Sequence, residues 1–150
     1  MGWFTLEVSS AVVDALYEHG EISSESFDAD THLTTNEFAV VRSGSQSALV
    51  RSTGETVELL ATTSPEAWGL RSRSKEQRFA LELLMDPDVS VVALDGRAGT
   101  GKTVMAIAAG LEQVVESRTY EKLAIYRPLV PVGRADVGFL PGGLDAKLDP

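Results

Sequence analysis

The chain has 150 residues, 43% of them hydrophobic, and a formal net charge of −9. That length suits one modest domain, or a small domain joined to part of another, and no apolar run approaches the roughly 20 residues that cross a membrane. With no cysteine and only His19 and His32, thiolate zinc and disulfides are excluded and a histidine metal site is poorly supplied; the start, Met1-Gly2-Trp3-Phe4, lacks a basic n-region, so a cytoplasmic setting without membrane contact is expected.

Residues 1–8 read as an irregular lead-in. Ser9 or Ser10 can cap a helix whose apolar face holds Ala11, Val12, Ala15 and Leu16. Gly20 suits its C′ position, and His19 suits the negative helix end. Residues 21–35 are polar and acidic and read as a connector. Strands are predicted at 37–42, 47–51 and 56–60, with turns at Ser43-Gly44-Ser45 and Thr53-Gly54-Glu55. Short β-branched runs between glycine turns describe a three-stranded meander. Such a sheet needs something packed on one face. The acids Asp28, Asp30, Glu37, Glu55 and Glu58 are scattered over turns and strand faces and read as solvated surface rather than metal ligands.

The acidic excess lies in this first part. Residues 1–66 hold eleven Asp/Glu against Arg42 and Arg51, whereas residues 67–150 are balanced. That shift sets a boundary: an acidic linker and meander module over 1–66, and a second unit over 67–150. It argues against nucleic-acid binding by the first, because phosphate binding needs a positive field.

After a joining stretch, Ala61–Arg73, a helix is predicted over Ser74–Met85, with Phe79, Ala80, Leu83 and Leu84 on one face and Asp86-Pro87 as its stop. Gln77 supports two readings. Ser74-x-x-Gln77 is a capping box; a glutamine just ahead of a phosphate loop also offers the donor and acceptor that match adenine N6–H and N7. Val89–Leu94 is then an apolar run expected as a buried parallel strand. It ends in Asp95 but feeds the next motif directly, so it is the first strand and not a Mg²⁺-water-binding Walker B element.

That motif is Gly96-Arg97-Ala98-Gly99-Thr100-Gly101-Lys102-Thr103, which fits G-x-x-x-x-G-K-[ST] between a strand and a helix over Val104–Val115. Small residues let successive N–H groups point at phosphate oxygens, and the helix N-terminus adds its partial positive charge. Lys102 is placed for the β- and γ-phosphates. The Thr103 hydroxyl is placed for Mg²⁺. The bland alternative is a glycine-rich turn. The helix is expected to end near Ser117-Arg118, and Leu123–Tyr126 to form a second strand, completing a βαβ unit. Arg127 would then sit at the ligand edge of the sheet, where its alternative role is to cap loop carbonyls. Residues 132–143 read as a Pro/Gly-rich ordered loop, and Leu144–Leu148 as the start of a helix. The fold expected is α/β: a partial P-loop NTPase sheet preceded by an antiparallel meander.

Arg127-Pro128, Pro131-Val132-Gly133, Asp136-Val137-Gly138-Phe139-Leu140-Pro141-Gly142, Lys147-Leu148 and Pro150, with Arg73–Gln77 upstream, resemble the PhoH family of P-loop ATPases. The first 70 residues are similar to the segment joining a PIN nuclease domain to the PhoH domain in PIN–PhoH proteins. This rests on Gly2-Trp3, Val13–Tyr17, Gly20–Ile22, the meander and Trp68-Gly69-Leu70. Tyr126 and Ala146 depart from the family's common residues. The resemblance implies an ATPase with an RNA helicase-like core, ATP and Mg²⁺ as cofactors, Gly99, Gly101, Lys102 and Thr103 as phosphate and metal contacts, and Gln77 as an adenine contact. It also implies an RNA path over Arg127–Gly142, an upstream PIN nuclease partner, and homo-oligomerisation as in ring-forming motors.

No apolar strand ending in Asp-Glu follows residue 103, so no Walker B acid, water-positioning base or arginine finger is available to cut the phosphate. The chain is therefore expected to be the middle of a longer protein, binding ATP while hydrolysing it negligibly alone. Two other readings stay open: a non-catalytic interaction fragment, and a small-molecule kinase, which the Pro/Gly-rich stretch after Arg127 disfavours.

Overall fold

Alternation of side chains explains the first half of the structure. A strand sends successive residues to opposite faces, and nearly every strand here has an apolar set to bury. The computed structural model describes residues 3–27 and 31–127. Strand β1 (Trp3–Glu7) runs into helix α1 (Ser10–His19) and the short β2 (Glu21–Ser23); a 3₁₀ turn, Ser24–Ser26, follows. Strands β3 (Phe38–Ser43), β4 (Gln46–Ser52) and β5 (Thr56–Leu59) are the predicted meander. The sheet order is β1-β3-β4-β5-β2, with β1 parallel to β3 and the other pairs antiparallel.

The lead-in and part of the connector are therefore edge strands of this sheet, contrary to the sequence expectation. Their partners lie far along the chain: Trp3 pairs with Phe38, and Ile22 with Val57. No local turn signals such pairing. One face of the sheet, with Ala39, Val41, Ala48, Val50 and Val57, packs against Val13 and Leu16 of α1. Gly20 closes α1 as predicted, at φ 79°; its N–H donates to the Leu16 carbonyl and its carbonyl accepts from Leu59 N–H at 2.7 Å, tying the helix end to β5.

The joining stretch contains a tight hairpin, β6 (Glu66–Ala67) and β7 (Leu70–Arg71). Trp68 and Gly69 turn it, both at positive φ (50° and 73°), as a primed two-residue turn requires. Helix α2 (Lys75–Leu84) begins at Ser74, whose hydroxyl accepts from Gln77 N–H at 3.3 Å. Helix α3 (Lys102–Leu111) continues into a π-helical turn, Glu112–Glu116, and ends beside Arg118 at φ 54°. Leu81 of α2 and Met105, Ala108 and Ala109 of α3 form a second core with Ala67.

The two cores are joined across the sheet's other face. Phe79 of α2 stacks on Phe38 at 4.6 Å and meets Trp3 edge-on at 6.1 Å. Arg51 bridges Asp86 at 2.7 Å. Partial burial would raise the Asp86 carboxyl, but the Asp88 N–H and the Arg51 guanidinium outweigh it and hold the group below the usual carboxylate range. Its contribution is thus present above the unfolded value of about 3.9 and is lost as pH falls through the lower folded value. Asp86→Asn should cost about 1 kcal/mol at pH 7. In urea melts that difference should shrink below about pH 4; a difference constant down to pH 3 would show that the charge contributes nothing.

The protein is of mixed α/β class, consistent with a partial P-loop NTPase fold. Two expected strands do not form as such. Residues 89–94 and 123–126 have no ladder partner among the described residues. Val91 is 85% exposed and Ile125 62%, so burial on both faces is not achieved. Leu123 instead lies over α3, where Gly110 leaves room for its methyl groups. A parallel pair gains little without strands on either side. The loop at 132–143 and the helix start at 144–148 fall outside the described residues, as do Asp28 and Asp30.

Candidate functional site

The loop Gly96–Thr103 folds as its glycines dictate. Gly96, Gly99 and Gly101 take φ values of 149°, 79° and 90°, a region that side chains with a Cβ rarely adopt. Gly101 occupies the N-cap of α3 and offers no side chain to its free N–H groups. The helix start therefore keeps its unpaired donors for an anion. The Thr100 hydroxyl donates to the Arg97 carbonyl at 2.9 Å and shapes the turn. Arg97 and Ala98 are exposed at the loop's tip.

Lys102 turns its ammonium back across this loop. Nζ donates to the carbonyls of Gly96 at 2.6 Å and Arg97 at 2.8 Å. The charge thus stands over the concave side of the loop, where phosphate oxygens would exchange with those carbonyls. Thr103 is exposed, and its hydroxyl has no partner among the described residues. Among those residues no three His, Cys, Asp or Glu side chains converge as a metal site. A loop with three left-handed glycines, an uncapped helix start and a poised lysine fits a nucleotide phosphate chain. Thr103 and the phosphates would then hold Mg²⁺.

Gln77 reaches the same loop. Its Oε1 accepts from Arg73 N–H at 2.8 Å, and its Nε2 donates to the Thr100 carbonyl at 3.2 Å. The capping pattern is real, although the returning bond goes to Arg73 rather than Ser74. Both ends of the amide join protein groups, linking the start of α2 to the phosphate loop. Neighbouring Glu76 is held below the usual carboxylate range by its own backbone N–H and the Ser74 hydroxyl. Arg127 is exposed at the end of the described residues and does not line the cleft; Pro128–Gly142 lie beyond them.

A cleft of about 910 Å³ opens beside the loop. Asp95, Gly96, Thr100 and Lys102 line one part, and Gln77 and Phe79 the middle. Trp3 of β1, Asn36 in the turn before β3, and Phe38 of β3 line another. The size lies within the range of small-molecule sites, about 300–1,000 Å³. Sequence reading missed these last three residues. They are some sixty positions or more before the loop, and only the stacking of α2 on the sheet brings them in. The residue types carry no signal of this: Trp3 enters the sequence reading only through the resemblance of the first 70 residues.

The geometry is matched by kinship. Residues 69–150 match the model of a family described as PhoH-like protein. The chain is 41% identical to Protein PhoH2 of Thermobispora bispora over 150 residues, 99% of this chain and 34% of that one. Protein PhoH2 of Mycolicibacterium smegmatis is 40% identical over 99% of this chain, and that of Bacillus subtilis 39%, also over 99%. The chain spans about a third of the length of these relatives. No solved structure matches it. No helix among the described residues is long and apolar enough to cross a membrane. A phosphate loop of this build, within a chain similar to PhoH2 from end to end, places the protein in the PhoH family.

Proposed function

We propose that the chain binds ATP with Mg²⁺ at Gly96–Thr103, as the nucleotide-binding part of a PhoH-type ATPase. The observation that carries this is the loop itself: three glycines in left-handed geometry before an uncapped helix, with the Lys102 ammonium over its concave side. Residues 1–66 are then the module preceding the PhoH-type unit. By resemblance to full-length relatives, the reading extends to ATP hydrolysis coupled to RNA unwinding, with Arg127–Gly142 on the RNA path, a PIN ribonuclease upstream and a homo-oligomeric assembly; these extensions rest on the resemblance alone. Magnesium dependence is the direct test. Calorimetric titration should show ATP binding with Mg²⁺ that weakens about tenfold on chelation, and Thr103→Val should remove that dependence. Identical binding with and without the metal would count against the Thr103 assignment.

One observation favours a narrower second reading. Residues 89–94 and 123–126 have no ladder partner among the described residues; with no Walker B acid after residue 103, these 150 residues would hold nucleotide while hydrolysing it negligibly. Turnover clearly above background that requires Thr103 would refute that reading.

A further inference from the structure

We propose that the N-terminal module supplies the base subsite of the nucleotide site: a purine ring seats against Trp3 and Asn36, on a floor backed by the buried Phe38–Phe79 stack, while the P-loop holds the phosphates. This rests on the nucleotide reading above and deepens it. The cleft is continuous from Lys102 to Trp3 and changes character along its length. Near the loop lies the Lys102 ammonium; near the sheet lies the half-buried Trp3 indole, with the Lys75 ammonium 5.3 Å from its ring centroid. Aromatic faces stack bases without regard to their edges.

Asn36 provides the edge contact. It is held at φ 67°, a left-handed conformation that Asn tolerates better than most residues. Its Oδ1 accepts from Nε of Arg51 at 3.0 Å and from the same guanidinium's Nη2. Arg51 is in turn anchored by Asp86. That fixes the amide and leaves Nδ2 without a partner among the described residues, a preset donor for a ring nitrogen or carbonyl of a base. Gln77, with its amide engaged at both ends, acts here as a positioning residue for the loop.

Tripolyphosphate separates base from phosphate. In calorimetry with Mg²⁺, Trp3→Ala and Asn36→Ala should each weaken ATP about tenfold while tripolyphosphate stays within about twofold of wild type. Lys102→Ala should weaken both ligands. Trp3→Phe should retain most ATP affinity. Trp3 and Trp68 are the two tryptophans, so Trp68→Phe makes Trp3 a reporter in protein whose cleft is intact. ATP should shift its emission saturably, and tripolyphosphate should bind without that shift. The proposal is overturned if Trp3→Ala and Asn36→Ala leave ATP binding unchanged while Lys102→Ala removes it. It is equally overturned if they weaken both ligands alike, or if ATP leaves Trp3 emission unmoved. Unchanged binding of both ligands by Lys102→Ala would instead refute the nucleotide reading beneath it.

Discussion

Lys102→Ala should lower ATP affinity by about 100-fold or more, roughly 3 kcal/mol or above, while leaving the melting temperature nearly unchanged. The two halves of this expectation have one origin. The Lys102 ammonium stands on the concave side of the loop, bound only to the exposed backbone carbonyls of Gly96 and Arg97 and, at 3.4 Å, to the Thr100 hydroxyl. Those carbonyls can turn to water when the ammonium is removed, so the fold loses little. Phosphate oxygens, by contrast, lose the ammonium that bridges the loop's carbonyls. The helix start and loop N–H groups remain, so weak residual binding of anions is expected. Equal ATP affinities for wild type and variant would mean that the loop is a structural turn.

Phe79→Ala should have the largest effect on stability, about 3–5 kcal/mol, which for a chain of this size lowers the melting temperature by on the order of 10 °C. Phe79 is 5% exposed and is shared between the two halves: it belongs to α2, yet stacks on Phe38 and meets the edge of Trp3. Truncation leaves a cavity between elements that have few other shared contacts. Phe79→Leu, which keeps much of the volume, should cost appreciably less. A melt of Phe79→Ala that overlays wild type would show that the stack does not hold the halves together.

What the sequence reveals and what it hides divide along the range of the interactions. The meander, the Gly20 stop, the Ser74 cap and the glycine loop all rest on contacts within a few residues, and each is written in local residue types. Gly20 and Gly101 adopt positive φ because the turn they make requires it. The pairing of Trp3 with Phe38, the Trp68-Gly69 hairpin and the Phe38–Phe79 stack were not visible. The first and last join distant segments; the hairpin uses a tryptophan at positive φ, where propensity would place Asn or Gly. Val89–Leu94 failed the other way. Its composition describes a strand buried on two sides, but a strand also needs neighbours, and residue type alone does not supply them. The cleft divides similarly: its glycine-loop end is a motif, whereas the sheet's share is a product of tertiary packing.

The parallel pairing of β1 with β3 also bears on how the chain assembles. Both outer strands of the sheet come from the first 23 residues, and the three inner ones from residues 38–59. The inner hairpins close short loops and are entropically cheap to form. The outer strands close long ones, and neither has a docking edge until the inner strands exist. Topology of this kind makes the middle of the sheet a nucleus and the amino terminus a late arrival. Trp3 therefore reaches Phe79 only after both the sheet and α2 are in place, and the cleft is among the last features of the molecule to take shape.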